Sequence, residues 1–215
     1  SYVEQNKYFI GGRSYGLKNL HKKSSINGFK NRDILHNKSF EISPYLNFGC
    51  ISIREVYHYF KSQKISAIRE LYWRDFFLCI LRYKPNATSY TKPMDKTFNK
   101  INWRKVNTKQ AISEWNNFMN STTGFLLIDA GMKQLLSTGY IGNRMRLLLA
   151  TFWTKYLMID IFDPVYGSQS NYSKYLTDCS TSQNKLNHQW ITSELDLSGR
   201  RFAKKGAPSI SGLMI

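Results

Sequence analysis

The chain has 215 residues, of which 42% are hydrophobic and 15% aromatic, enough to bury the core of a single globular domain. Its 31 Lys and Arg against 14 Asp and Glu give a formal net charge of +17, which favours nucleic acid as a partner over a membrane surface. The alternative explanation of the charge is a composition that is generally rich in Lys and Asn, without a nucleic-acid partner. No apolar run approaches the roughly 18 residues of a spanning helix and no signal-peptide pattern opens the sequence, so we expect a soluble, intracellular protein.

Cysteine and histidine usage argues against a disulfide framework and against a metal site. The three cysteines, Cys50, Cys79 and Cys179, lie far apart and form no C-x-x-C pair. We expect them to be reduced packing residues, and the four scattered histidines predict no metal. The sequence contains no G-x-G-x-x-G loop, Walker-type loop or nucleophile elbow, which excludes the usual nucleotide-binding folds.

The spacing of apolar residues predicts an all-α fold. From Ser43 onward they recur every three or four positions, and Ser52 with Glu55 forms an S-x-x-E capping box. Pro85 and Gly139 are helix terminators. The predicted helices cover about 43–49, 53–60, 66–83, 108–119, 126–137 and 143–159.

Three parts of the chain differ in composition. Residues 1–38 are polar and basic and predict one short helix plus a loop that leads into the domain. Residues 39–190 form the helical domain. Residues 191–215 have no apolar period and predict an irregular basic tail.

The segment ELYWRDFF carries chemistry on one helical face. Helical spacing brings Glu70, Trp73, Arg74 and Phe77 together. Such a face could stack a base on Trp73, hold a phosphate with Arg74 and hydrogen-bond a base edge with Glu70. The alternative is an amphipathic helix with an internal Glu70–Arg74 ion pair.

A second segment predicts two helices that meet at a corner between Gly139 and Gly142. Asn143, Arg144 and Arg146 then lie at the positive start of the second helix, where phosphate binds readily. A cationic helix start without a special role is the alternative.

Four segments resemble, in order and spacing, the FAD-binding domain of the DNA photolyase/cryptochrome family. They are SPYLNFGCISIREVY, ELYWRDFF, TTGFLLIDAGMKQLLSTGYIGNRMR and YLTD, and the resemblance covers about residues 39–190. It implies a helical FAD-binding domain truncated at both ends, without the family's N-terminal α/β antenna domain and last helices. The implied cofactor is FAD. The implied partners are UV-damaged DNA and a separately encoded antenna domain or C-terminal helices.

The resemblance also implies a function. In this family, reduced and light-excited FAD donates an electron to a pyrimidine dimer flipped out of the duplex, and the dimer splits. No histidine occurs at the corner where the (6-4) branch has catalytic ones. The implied activity is therefore that of a deoxyribodipyrimidine photo-lyase acting on cyclobutane pyrimidine dimers. An inactive remnant that binds DNA and a cryptochrome-like flavin photoreceptor are the alternatives, and Asn184 disfavours the second.

The family's cofactor site is carried over residue by residue. Residues 39–43 match the turn that holds the FAD phosphates, with Glu41 standing where many members have Arg. Arg146 and Asp178 match an ion pair beside the isoalloxazine ring, and Asn184 matches the Asn presented to flavin N5. The implied cofactor-binding residues are Ser39, Phe40, Glu41, Ile42, Ser43, Arg74, Arg146, Asp178, Ser180 and Asn184.

The implied lesion site draws on both helical segments, with Glu70 placed to hydrogen-bond the dimer and stabilise its anion radical. The implied catalytic residues are Glu70, Trp73, Asn143 and Asn184, with Asn187 as an alternative to Asn184. The implied DNA-binding residues are Glu70, Trp73, Arg74, Phe77, Asn143 and Arg144.

The electron route departs from the family. Its tryptophan positions match Trp103, Ile161 and His188, so only the outermost aromatic remains and we expect photoreduction by that route to fail. His188 is more simply a solvated loop residue. We expect Trp153 in the core, and Trp190 matches a further aromatic near the flavin.

Overall fold

The computed structural model describes residues 8–30, 40–85, 101–163, 165–167, 173–180, 183–184, 186–187 and 191. Over these residues the secondary structure is helical and contains no strand, which confirms the predicted all-α fold. The helices are α1 Arg13–Leu20, α2 Lys23–Lys30, α3 Ser43–Asn47, α4 Ile53–Ser62, α5 Ile68–Tyr83, α6 Lys109–Met119, α7 Leu126–Thr138 and α8 Asn143–Thr151, then a π-helical turn Phe152–Tyr156 and a 3-10 turn Ser173–Tyr175.

Local chemistry sets several helix ends where the sequence predicted them. The Ser52 hydroxyl accepts from the Arg54 amide at 3.2 Å, and the Ser52 amide donates to the Glu55 carboxylate at 2.9 Å, which confirms the capping box at α4. The Thr108 hydroxyl caps α6. Helix α7 ends at Gly139 with φ of 67°, a left-handed conformation that glycine adopts without strain.

Two regions differ from the predicted helices. The first part of the chain forms two short helices, α1 and α2, where we expected one. Helix α8 ends at Thr151 and not near Ile159, because the next turn is π-helical: the Leu157 amide donates to the Phe152 carbonyl, five residues back. Met158 then takes a left-handed φ of 56°, which ends the helical path.

Two large clusters of buried side chains form most of the core, and Phe77 with Leu186 forms a small third one. The N-terminal cluster joins α1 to α5 through residues such as Leu20, Phe29 and Val56. The C-terminal cluster joins α6, α7, α8 and the π-helical turn, with Phe118 and Trp153 fully buried, which confirms Trp153 as a core residue. Close helix packing depends on small residues: at Gly16 a Cβ would lie 2.8 Å from the Ile51 side chain.

Two contacts connect the N-terminal part of the chain with the region around Tyr140 and Asp178. The Ser43 side chain, at the start of α3, bonds to Asp178, and Phe9 packs its ring edge on Tyr140 at 5.4 Å. The three cysteines are free thiols; Cys79 is exposed and so is not the packing residue that we expected. Within the described ranges no helix is both long and apolar enough to cross a membrane.

Candidate functional site

Arg146 and Asp178 form a partly buried ion pair at the centre of the candidate site. The Arg146 Nη2 donates to both Asp178 carboxylate oxygens at 2.8 Å, and the Ser43 hydroxyl donates to Asp178 Oδ2 at 2.6 Å. The Arg146 side chain is 19% exposed and the Asp178 side chain is 5% exposed. Charge-assisted bonds at this depth are little screened by solvent, so the three side chains hold one another in a fixed arrangement.

The corner between α7 and α8 holds both members of this pair. Arg146 lies in the first turn of α8, and its Nε donates to the Ile141 carbonyl at 3.0 Å. The amide and hydroxyl of Thr177 both donate to the Gly139 carbonyl, at 2.9 and 3.0 Å, which places Asp178 beside the same corner. The glycine corner thus orients a cation from one segment and an anion from another.

Tyr140 belongs to this site, although the sequence reasoning did not single it out. The Arg146 guanidinium lies 5.7 Å from the centre of the Tyr140 ring, and Ser43 lies beside the Tyr140 hydroxyl. Burial and the negative charge of Asp178 raise the pKa of Tyr140 to about 12, so the phenol is neutral at ordinary pH. The sequence offered one indication of this role, the position of Tyr140 between Gly139 and Gly142. From the sequence, that corner was interpreted as a phosphate site formed by the polar and basic residues that follow it.

Asn184 is the second buried polar side chain near this pair. It is 8% exposed, and its Nδ2 donates to the Cys179 sulfur at 3.3 Å, while its amide donates to the Ser180 carbonyl at 2.9 Å. A thiol is a weak acceptor, so a stronger acceptor from a ligand would replace this bond at little cost. Asn187, the alternative, is half-buried.

The predicted phosphate turn is described from Phe40 onward, and Ser39 lies outside the described residues. Phe40 and Ile42 are buried in the N-terminal cluster, so their main-chain groups are what a ligand could contact. Glu41 lies between them at a left-handed φ of 41°, and its carboxylate accepts a hydrogen bond from the Tyr8 hydroxyl at 2.8 Å. The turn therefore offers a hydroxyl at Ser43 but also carries a negative charge.

Helix α5 does not present the predicted four residues on a single exposed surface. Glu70 and Trp73 are exposed, the latter 42%, and Arg74 is half-buried with its guanidinium 3.5 Å from Asp75. Phe77 is only 6% exposed, because its ring packs against Leu186 from the distant C-terminal part of the domain. Phe77, which we expected to face DNA, is therefore a packing residue in this structure.

The remaining predicted residues lie around the same corner and in the C-terminal cluster. Asn143 and Arg144 are exposed in the first turn of α8. Trp103 is half-buried against the C-terminal cluster, and Ile161 is 5% exposed within it. His188 and Trp190 lie outside the described residues.

The side chains at the corner suit a flavin dinucleotide. Such a ligand combines an anionic diphosphate with a ring that has polar edges, and it needs fixed hydrogen-bond donors on an otherwise apolar surface. Ser43, Arg146 and Asn184 supply a hydroxyl, a guanidinium and a carboxamide at the junction of two hydrophobic clusters. In the part of the chain that the structure describes, no three His, Cys, Asp or Glu residues are grouped as metal ligands.

Comparison with known proteins agrees with this chemistry. Residues 67–203 match the family described as "FAD binding domain of DNA photolyase". The deoxyribodipyrimidine photo-lyase of Alkalihalophilus pseudofirmus is 29% identical over 192 residues, 85% of this chain and 38% of that protein. That of Buchnera aphidicola is 31% identical over 168 residues, 73% of this chain and 33% of the relative.

Solved structures give the same relationship. An archaeal photolyase from Sulfolobus tokodaii, crystallised with two FAD molecules, is 36% identical and superposes with a TM-score of 0.74 over 88% of this chain and 41% of its own. A Synechocystis cryptochrome superposes with a TM-score of 0.70 at 25% identity, over 88% of this chain and 40% of its own. The chain thus spans about two fifths or less of these relatives. It belongs to the DNA photolyase/cryptochrome family as an FAD-binding domain, and FAD is its cofactor.

Proposed function

We propose that the chain is an FAD-dependent, light-driven DNA repair module that splits cyclobutane pyrimidine dimers. The observation that carries the proposal is the assembly of Ser43, Arg146 and Asp178 from distant segments of the chain into one partly buried cluster, with Asn184 buried and bonded to Cys179, the neighbour of Asp178 in sequence. Such a cluster is a prepared site for a large polar cofactor, because its donors are already oriented before the ligand arrives.

Each residue of the cluster has a specific task in this proposal. Arg146 carries the positive charge that stabilises an anionic flavin, and Asp178 keeps its guanidinium in place. Asn184 donates its carboxamide to the polar edge of the ring, and Ser43 with the turn after Phe40 contacts the phosphates. Bound and reduced FAD supplies a light-excited electron that opens the cyclobutane ring and then returns.

The lesion side of the proposed site consists of residues from α5 and from the first turn of α8. Trp73 offers a ring for stacking against the flipped pyrimidines, and Glu70 offers a carboxyl group to their carbonyl and imide edges. Arg74, Asn143 and Arg144 supply phosphate and sugar contacts, Arg74 from α5 and the other two from the positive end of α8.

The flavin in this proposal is reduced by an external donor. Ile161 is buried at a position where the resemblance implies a tryptophan, and an aliphatic side chain cannot relay an electron by oxidation of its own. Repair therefore requires a chemical or protein reductant in place of the family's tryptophan route, and we expect photoreduction by that route to fail.

The test combines a spectrum and a repair assay on the chain, expressed within its full reading frame. We expect a flavin absorption spectrum in the purified protein, and loss of thymine dimers from an oligonucleotide under blue light after reduction with dithionite. Glu70→Ala should lower the repair yield and leave the flavin spectrum intact, whereas Glu70→Gln should retain part of the yield. A protein purified without flavin would contradict the proposal.

A DNA-binding protein without catalysis is the second candidate. The net charge of +17 and the buried Ile161 on the electron route favour it. It predicts salt-sensitive binding to duplex DNA with no preference for a dimer-containing duplex, and no repair even with reduced flavin. A dimer preference that persists at physiological salt would exclude this candidate.

A further inference from the structure

Helices α4 and α5 carry an exposed surface of aromatic rings and cations outside the flavin corner. Three of its residues come from each helix. Within each helix the three are spaced by three and four positions, so they lie on one helical face. The α4–α5 surface consists of Arg54, Tyr57, Lys61, Arg69, Tyr72 and Phe76.

Side-chain contacts join the two helical faces into one surface. Helices α4 and α5 pack against each other, and Tyr57 on α4 lies close enough to Tyr72 on α5 to raise the pKa of Tyr72. The Lys61 ammonium lies 5.8 Å from the centre of the Tyr57 ring. Tyr72 and Phe76 remain 55% and 44% exposed, although rings of this size are usually buried in a monomer.

The charge of this surface is positive. Arg54, Lys61 and Arg69 are all exposed. The same helices carry three acidic residues: Glu55 accepts two hydrogen bonds from Arg13, Asp75 pairs with Arg74, and Glu70 is exposed and belongs to the proposed lesion site. The surface thus combines apolar ring faces with cations, the combination that single-stranded nucleic acids require.

We propose that the α4–α5 surface binds single-stranded nucleic acid. Bases of an unpaired strand stack on Tyr72 and Phe76, and its phosphates contact Arg54, Lys61 and Arg69. A duplex hides its base faces and can use only the cations. Phe76 also packs at 5.6 Å on Trp73, so the strand track continues toward the proposed lesion site. This binding needs neither flavin nor a dimer, so it can be tested independently of the proposed repair activity.

The ring contribution is tested with an undamaged, labelled oligothymidylate of about 15 nucleotides and the full chain, by fluorescence anisotropy. We expect Phe76→Ala and Tyr72→Ala each to raise the Kd about tenfold, and Tyr72→Phe, which keeps the ring, to leave it nearly unchanged. Leu126→Ala, at an 82% exposed apolar position on α7, is the matched control. Equal Kd values for Phe76→Ala and Leu126→Ala would overturn the proposal.

The charge contribution is tested by two variants, each of which replaces one lysine with a glutamate. Lys61→Glu should weaken binding and reduce the salt dependence of the Kd, whereas Lys133→Glu, at an exposed lysine on α7, should have a clearly smaller effect. The wild-type chain should also prefer the single strand to a duplex of the same length. Identical losses from both lysines, or equal affinity for both forms of DNA, would mean diffuse attraction to a basic protein and would overturn the proposal.

Discussion

At the glycine corner, Arg146 and Asp178 turn inward and bond to each other, whereas on α5 Trp73 and Phe76 lie at the surface, 42% and 44% exposed. The corner has its hydrogen bonds in place before a ligand binds, so binding there requires little rearrangement. The surface of α5 presents exposed rings, and we expect its affinity for a ligand to come from stacking and screened charge. The corner is suited to a single cofactor, whereas the surface of α5 is suited to nucleic acids of variable sequence.

The largest test of this difference is removal of one charge at the corner. Asp178→Ala leaves the Arg146 guanidinium 19% exposed and without its carboxylate, and a partly buried charge that loses its partner is strongly destabilising. We expect the free energy of unfolding to fall by about 3 kcal/mol, measured by urea denaturation.

The control for this test removes both charges at once. Arg146→Met with Asp178→Asn keeps similar volume and eliminates both charges, so stability should recover by more than half while flavin binding stays lost. If Asp178→Ala were as stable as the wild-type chain, the corner would be no more constrained than the surface of α5.

The second test separates the two sides of α5. Phe77→Ala removes a ring that is 6% exposed and packed on Leu186, and should lower the free energy of unfolding by about 3 kcal/mol. Trp73→Ala, one turn earlier and 42% exposed, should change stability much less and instead weaken binding of dimer-containing DNA. The pair is measured by denaturation and by anisotropy; a reversed order of the two stabilities would contradict the described helix orientation.

The third test concerns the negative charge at the phosphate turn. Glu41→Gln keeps an acceptor for the Tyr8 hydroxyl but removes the charge, so an anionic diphosphate should bind more tightly. Because Glu41 is partly exposed, the dielectric constant of bulk water applies; it gives about 1 kcal/mol for two charges about 4 Å apart, and we expect FAD affinity to rise about fivefold. Titration of the flavin-free chain with FAD measures this, with Glu114→Gln on α6 as a control; unchanged affinity would place the phosphates away from this turn.

Features that depend on near neighbours in sequence were predictable. The Ser52–Glu55 box and the left-handed Gly139 follow from local hydrogen bonding and backbone sterics, and both are present. Features that depend on distant residues were not. Phe77 turns inward because of Leu186, and the π-helical turn accompanies the stack of Phe152 on Tyr156 at 4.9 Å.

The candidate site shows the same division. Arg146 and Asp178 are 32 positions apart, and no spacing rule pairs them; the family resemblance did. Tyr140 escaped prediction because its role depends on Ser43 and Arg146, which reach it from a different helix and from the next turn. Sequence periodicity therefore predicted the helices, while the contacts between helices required the structure.

The smallest expected effect belongs to the exposed ion pair that joins α1 to α4. Arg13 and Glu55 have side chains 58% and 37% exposed, and the hydrogen bonds from Arg13 lower the pKa of Glu55 from 4.5 to about 2. A carboxyl group with a lowered pKa in the folded state stabilises the fold above its ordinary pKa, and this contribution is lost as the pH falls through about 2.

The stability difference between the wild-type chain and Glu55→Gln should therefore be greatest above about pH 5, shrink between about pH 4.5 and 2, and diminish with added salt. Thermal melts across this pH range at two salt concentrations measure it, and Arg13→Gln should give a profile of the same shape but smaller size, because the Ser52 amide still bonds to Glu55 in that variant. By contrast, the Asp178→Ala effect should change little with salt, since the Arg146–Asp178 pair is shielded from solvent ions. Equal salt sensitivity of the two pairs would mean that the corner is open to solvent, and the contrast between the two regions would fail.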